Sequence, residues 1–102
     1  MRGRTRFKRA FRVGERTTVG GITVIAVVGE PGPAAVGIVA SRSVGNAVVR
    51  NRARRRLREA VAKADPPAGM DLVVVAAREV VEAPFDRLVD WMRQAMPKED
   101  MP

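Results

Sequence analysis

The order of structural elements follows from the central part of the chain, residues 35–77, which read AVGIVASRSVGNAVVRNRARRRLREAVAKADPPAGMDLVVVAA. Residues 35–40 are short, apolar and rich in Val and Ile, as in a strand, and residues 72–77 form an almost unbroken apolar run, as in a central strand covered on both faces. Between them, apolar side chains recur at helical spacing from about residue 44 to 64, and the Pro-rich segment 65–69 ends this helix. The two strands of such a strand–helix–strand unit can pair in parallel, and the crossover is then normally right-handed.

Two further helices are predicted towards the ends of the chain. Residues 5–13 form a short helix that ends near Gly14 and carries Phe7 and Phe11 on one side. Pro84 suits the first position of the last helix. Apolar side chains repeat along that helix at helical spacing: Phe85, Leu88, Val89, Met92 and Met96.

Residues 17–28 are rich in Val, Ile and Thr and predict an extended segment. The pair Gly20 and Gly21 bends this segment or divides it into two strands. After the Glu-Pro-Gly-Pro turn signal at residues 30–33, residues 35–40 are expected to return as a strand that pairs antiparallel with it.

These elements together predict an α+β fold in the order α-β-β-(β)-α-β-α. We expect a sandwich in which helices pack on one face of a small mixed sheet. The 102 residues form a single domain, residues 1–102, with a frayed tail over 97–102.

Composition excludes several classes of function. The chain contains neither Cys nor His, which rules out disulfides, Cys/His zinc sites, thiol nucleophiles and imidazole bases. The longest apolar runs are far too short for a membrane span. The basic N-terminal segment is not followed by the apolar stretch of a signal peptide, so we expect a cytoplasmic protein.

Charge is distributed unevenly along the chain. Residues 1–64 hold 15 basic and three acidic side chains, a net charge of +12, whereas residues 65–102 carry −4. Most of the basic residues are arginine, whose guanidinium forks onto phosphate. This asymmetry indicates one surface that binds a polyanion.

The segment 41–58 concentrates that charge at the start of a helix. Ser43 is the expected N-cap, and Gly45 and Asn46 leave space for a phosphate to approach the helix N-terminus. Within residues 50–58 there are six arginines and no acid, and like charges four residues apart destabilise a free helix. Polyanion binding would relieve that repulsion, and single-stranded or irregular RNA fits better than duplex DNA, since nothing resembles a recognition-helix dimer.

On a helical wheel, two arginines occupy a special position. Arg50 and Arg54 fall at the edge of the apolar stripe formed by Val49, Ala53, Leu57, Ala60, Val61 and Ala64. An arginine held partly against the protein body is a preorganised ligand for phosphate. The side opposite the stripe is predicted to carry Arg52, Arg55, Arg56 and Arg58.

The same segment resembles a known family. Gly37-Ile38, Ser41-Arg42 and the run Val-Gly-Asn-Ala-Val-Val-Arg-Asn-Arg over residues 44–52 are similar to the signature of the bacterial ribonuclease P protein subunit. Its RNR motif corresponds to residues 50–52, and the spacing of Phe7, Phe11 and Gly14 is similar to the family's N-terminal segment. The resemblance covers nearly the whole chain and implies the family's left-handed crossover around the central helix.

This resemblance implies a function. Members of the family are small basic partners of a catalytic RNA that removes the 5′ leader of precursor tRNA, with magnesium held mainly by the RNA. By resemblance, the contacts with the catalytic RNA fall to Arg42, Gly45, Asn46, Arg50, Asn51, Arg52, Arg55 and Arg56. We expect Arg54 and Arg58 of the same basic helix to bind this RNA as well. The cleft for the single-stranded leader would include Phe7, Phe11, Lys8 and Arg12.

The protein itself is expected to supply neither catalytic residues nor a metal site, since its basic half offers only three scattered glutamates. Two departures from the family pattern concern binding: Ser43 stands where a second basic residue is common, and the short N-terminal segment and the absence of Tyr predict a smaller, less aromatic cleft. A ribosomal or other structural RNA-binding protein, and a DNA-binding protein with one basic helix, are the alternative functions.

Overall fold

The structure is a computed structural model that describes residues 4–97. Its elements follow the predicted order, and the extended segment is divided into two strands at Gly20 and Gly21. The helices are α1 (Arg4–Val13), α2 (Ala47–Ala64) and α3 (Phe85–Ala95), and the strands are β1 (Glu15–Val19), β2 (Ile22–Val28), β3 (Ala35–Ala40) and β4 (Met70–Ala76). Single turns of 3-10 helix lie at Arg42–Val44 and Arg78–Val81. Of the tail expected to fray, residues 98–102 lie outside the described part of the chain.

The four strands form one mixed sheet in the order β1-β2-β4-β3. β1 pairs antiparallel with β2, β2 pairs antiparallel with β4, and β3 pairs parallel with β4, as the strand–helix–strand unit predicted. The expectation that residues 35–40 pair antiparallel with the preceding strand is wrong, because β4 lies between β2 and β3. β4 is apolar at almost every position, and a central place buries most of its side chains.

Helices cover both faces of this sheet, not the one face that we expected. Leu72, Val73 and Val74 on β4 are all completely buried, so successive side chains, which point to opposite faces, each need a covering layer. Strand β4 is therefore covered on both sides, as predicted. α2 and α3 cover one face and α1 covers the other.

The larger core lies between the sheet and the helices α2 and α3. Ile22 and Val24 of β2 and Leu72 and Val74 of β4 project into it. The helices contribute the buried side chains Ala53, Leu57, Ala60, Val61, Leu88, Val89, Met92 and Ala95. The apolar stripe predicted for α2 is therefore confirmed, and burial of each large aliphatic side chain stabilises the fold by about 1.5–3 kcal/mol.

The smaller core docks α1 on the opposite face. Ala10 packs with Ile25 and Val73. The Arg6 guanidinium also donates two hydrogen bonds to the carboxylate of Asp71, which is only 2% exposed at the start of β4. The hydrogen bond to Asp71 raises the pKa of Arg6 above its usual value. This pair ties the first turn of α1 to the central strand.

α3 begins at Phe85. Pro84 is therefore its N-cap and not, as predicted, its first helical residue. The Trp91 side chain of α3 lies over the turn between β1 and β2. Gly20 in that turn has a φ of +57°, and a Cβ atom there would lie 2.1 Å from the Trp91 ring.

Among the described helices, none is long and apolar enough to cross a membrane.

We therefore expect the substitution Gly20→Ala to destabilise the fold by about 2–4 kcal/mol, since it adds steric overlap with the indole to an unfavourable backbone conformation. Thermal unfolding measures the loss. Trp91 is the only tryptophan and the chain lacks tyrosine, so intrinsic fluorescence reports directly on this contact and should shift as the ring is displaced.

Gly69→Ala is the matched control. Gly69 has a φ of +79°, and nothing lies within 4 Å of the position of its Cβ atom. We expect the free energy of unfolding of this variant to fall by only about 1–2 kcal/mol. Its fluorescence emission spectrum should match that of the parent protein. Equal losses for the two variants would contradict the packing of Trp91 on Gly20.

Candidate nucleic-acid interface

The basic helix α2 begins in two steps. The 3-10 turn Arg42–Val44 ends at Gly45, and the α-helix then starts with Asn46 as its N-cap, whose side-chain oxygen accepts a hydrogen bond of 3.0 Å from the backbone NH of Val49. The prediction that Ser43 is the N-cap is wrong. Its hydroxyl instead hydrogen-bonds the hydroxyl of Ser41 at 2.7 Å.

Gly45 makes this two-step start possible. A Cβ atom at this position would lie 2.7 Å from Cγ1 of Val49, so the chain comes closer to the first turn of α2 than other residues allow. The same lack of a side chain leaves the start of the helix, with its outward-pointing NH groups, open to an approaching anion.

The arginines of α2 differ in their surroundings. Of the predicted RNA contacts in this segment, the exposed ones are Arg42, Asn46, Asn51, Arg52, Arg55 and Arg58. Arg50 and Arg54 are half-buried, as expected for the edge of the apolar stripe. Arg54 donates a hydrogen bond of 2.9 Å to the Asn51 side chain, whereas Nε of Arg50 is buried and has no hydrogen-bond partner among the described residues.

Arg56 does not lie on the open side of the helix, where the helical wheel placed it. Its Nη1 donates hydrogen bonds to the carbonyl oxygens of Val80, at 2.7 Å, and Val81, at 2.8 Å, and its Nη2 donates to that of Ala83. The segment after β4 packs against this side of α2 and leaves Arg56 half-buried.

Among residues 4–97, no acidic side chain forms an ion pair with the arginines of α2. Within residues 4–97, both ion pairs involve Arg6, which contacts Asp71 and, at 3.9 Å, Glu30. The α2 surface therefore carries uncompensated positive charge. Val48, which is 77% exposed, is an apolar side chain on the same helix that the sequence did not single out.

A second candidate surface lies on the α1 face of the sheet. The rings of Phe7 and Phe11 are 5.0 Å apart between centroids and inclined by 56°. Both pack on the smaller core and remain half-exposed. The Arg16 guanidinium lies 5.7 Å from the centroid of the Phe11 ring.

The strand register identifies sheet residues beside α1 that sequence reasoning missed. Thr18 and Thr23 face each other on β1 and β2, with their hydroxyl oxygens 2.9 Å apart. Val39 and Val75 are paired on β3 and β4, lie on the same face and are half-buried. Alternation predicts which residues of a strand share a face, but only the packing of α1 shows which face the helix covers.

The predicted site residues thus form two surfaces on opposite faces of the sheet. One surface consists of Arg42 and the site residues of α2. The other consists of Phe7, Phe11 and the exposed Lys8 and Arg12. No group of three or more acidic side chains among residues 4–97 is arranged to hold a metal ion.

Comparison with known proteins identifies the family. The family model described as Ribonuclease P matches residues 1–99. The ribonuclease P protein component of Kocuria rhizophila is 40% identical over 98 residues, which cover 94% of this chain and 87% of the relative. That of Ruegeria pomeroyi is 39% identical over 105 residues, covering 96% and 83%.

Solved structures have the same fold. The RNase P protein of Thermotoga maritima superposes with a TM-score of 0.82 at 24% identity, covering 94% of this chain and 93% of that one. That of Staphylococcus aureus gives a TM-score of 0.78 at 19% identity, covering 93% and 89%. The whole-length family match and the two relatives near 40% identity lead to one conclusion: this chain belongs to the ribonuclease P protein family.

Proposed function

We propose that the exposed side and the start of α2 bind the RNA subunit of ribonuclease P, while the α1 face of the sheet receives the 5′ leader of precursor tRNA. As a member of this family, the chain is part of an endoribonuclease complex and assists the RNA subunit in processing the tRNA leader. The structural RNA-binding alternative is not favoured.

One observation supports the RNA-binding role of α2 above all others: its arginines have no acidic partner within the described chain. Three like-charged pairs four residues apart, Arg50–Arg54, Arg52–Arg56 and Arg54–Arg58, cost the helix together about 1 kcal/mol. RNA phosphates would remove that cost and add charge-assisted hydrogen bonds.

The chemistry of cleavage is assigned to the RNA. The described chain has no cluster of carboxylates fit to hold magnesium, so we propose that the RNA binds the ion. The protein neutralises phosphate charge and orients the substrate, and no proton or metal step passes through its side chains. We expect the complex to act in the cytoplasm.

The α1 face suits a single strand. The half-exposed rings of Phe7 and Phe11 offer surfaces on which a base can stack, and the exposed Lys8 and Arg12 on the same helix can neutralise the backbone. The ion pair between Arg6 and Asp71 holds this helix in place over the sheet.

The first test is cleavage of a precursor tRNA by a bacterial ribonuclease P RNA at low magnesium, with and without the protein. We expect the protein to restore cleavage. The double variant Arg50→Ala/Arg52→Ala should need about 100-fold more protein, because two charge-assisted contacts are lost. Circular dichroism verifies that the variant is folded.

The double variant Arg87→Ala/Arg93→Ala is the control, because it removes the same charge from α3, outside both proposed surfaces. It should restore cleavage as the parent protein does. If the parent protein binds the RNA but fails to restore cleavage, the processing function is wrong. If both double variants restore cleavage equally poorly, the total charge of the protein, and not the α2 surface, is responsible for assisting the RNA.

The leader surface is tested by the exposed pair Lys8→Ala/Arg12→Ala in the assembled complex. We expect binding of precursor tRNA with a leader to weaken about three- to tenfold, in line with two exposed charge contacts. Binding of mature tRNA should be unchanged. An equal loss for both substrates would contradict a leader-specific role of α1.

A further inference from the structure

The segment that follows β4 is held against α2 by one side chain. The planar guanidinium of Arg56 donates hydrogen bonds to three backbone carbonyl oxygens of this segment, those of Val80, Val81 and Ala83. These bonds satisfy backbone groups of the 3-10 turn Arg78–Val81 and the residues just after it. Lysine cannot reproduce them, since it has no fork of donors in one plane.

This segment forms the second wall of a cavity at the start of α2. The cavity has a volume of about 580 Å³ and separates residues of the RNA-binding motif from the segment after β4. The first wall consists of Val44, Gly45, Asn46 and Val49, and the second consists of Arg78, Glu79, Val81 and Glu82. The predicted RNA contacts Gly45 and Asn46 thus face residues that the motif does not include.

Among the described residues that line this cavity, Arg78 is the only cation. It is exposed, and its side chain makes no hydrogen bond or ion pair with any residue between 4 and 97, although Glu79 and Glu82 line the same wall. It therefore has its donors free at the edge of a cavity that opens beside the helix N-terminus.

We propose that Arg78 binds a phosphate of the RNA that lies on α2, and that Arg56 positions it. This inference rests on the proposed function of α2 and extends the RNA-binding surface to Arg78, which lies 20 residues beyond Arg58, the last of the predicted contacts on α2. Arg56 acts through the segment and does not itself contact RNA, because its guanidinium is engaged by the three carbonyl groups.

The glutamates of the second wall restrict where a phosphate can bind. Glu79 and Glu82 repel phosphate from the remainder of the cavity, so a bound strand is confined to the edge at Arg78. Replacing a glutamate with its neutral isostere, Glu82→Gln, should accordingly strengthen RNA binding two- to threefold at low salt, an effect of about 0.5 kcal/mol.

The test is a double-mutant cycle on the affinity of the full chain for a fluorescently labelled bacterial ribonuclease P RNA. We expect Arg78→Ala to weaken binding about tenfold and to reduce the slope of log affinity against log salt by about 0.7–0.9. Arg56→Lys keeps its charge but should weaken binding to a similar degree. The double variant Arg56→Lys/Arg78→Ala should bind no worse than Arg78→Ala alone.

Two controls separate positioning from loss of stability or charge. Arg93→Lys disturbs another arginine–carbonyl contact, that of Arg93 with the Lys63 oxygen at 3.2 Å, away from the cavity. Arg87→Ala removes an exposed charge from α3. Both should bind RNA as the parent protein does when all variants are measured well below their melting temperatures.

If Arg78→Ala binds as tightly as Arg87→Ala while Arg52→Ala loses affinity, the inference is overturned and the proposed function stands. If Arg52→Ala also keeps its affinity, the proposed function itself fails. Additive losses for Arg56→Lys and Arg78→Ala, or a loss for Arg93→Lys equal to that for Arg56→Lys, would refute the positioning role.

Discussion

Strand β4 must be covered on both faces, and the places of the other elements depend on this requirement. Its side chains Leu72, Val73 and Val74 are completely buried although they point alternately to the two sides of the sheet. Burial of three such side chains contributes about 5–9 kcal/mol, comparable with the whole stability of a domain of this size. A central position between β2 and β3, with helices above and below, is the arrangement that achieves it.

This constraint also separates the two proposed binding surfaces. α2 lies on one face with Arg52, Arg55 and Arg58 exposed on its outer side, and α1 lies on the other with two half-exposed phenylalanine rings. Burial of Leu57 and Val61 stabilises α2 by about 3–6 kcal/mol, more than the repulsion of about 1 kcal/mol among its arginines. The fold can therefore hold a helix whose charge is left for an external polyanion.

Local patterns predicted the helices, the strands and the apolar stripe of α2, because periodicity and turn residues are local properties. They did not predict that β4 lies between β2 and β3: residues 35–40 were expected to pair with the preceding strand, but β2 pairs with β4 instead, and this choice depends on burial in the whole sheet. Ser43 was the wrong cap for a related reason, since the close contact between Gly45 and Val49 moves the helix start to Asn46.

In the candidate site, too, local sequence patterns predicted some features and failed where tertiary packing decides. The motif over residues 41–58 predicted the basic surface, and the burial of Arg50 and Arg54 agrees with their place at the edge of the stripe. Arg56 was assigned to the open side because the sequence does not show that residues 80–83 pack there. Arg78 gave no signal at all, as a lone arginine followed by an acidic residue in the acidic half of the chain.

The central claim is that the uncompensated arginines at the start and along the exposed side of α2 bind RNA phosphates. The salt dependence of the affinity between this protein and a bacterial ribonuclease P RNA tests it most directly, since each neutralised phosphate contributes about 0.7–0.9 to the slope of log affinity against log salt. With Arg56 engaged by the protein, six arginines of the motif remain, namely Arg42, Arg50, Arg52, Arg54, Arg55 and Arg58. Together with Arg78 they predict a slope of about −5 to −6. A slope near −1 would show that the surface makes few phosphate contacts and would contradict this account.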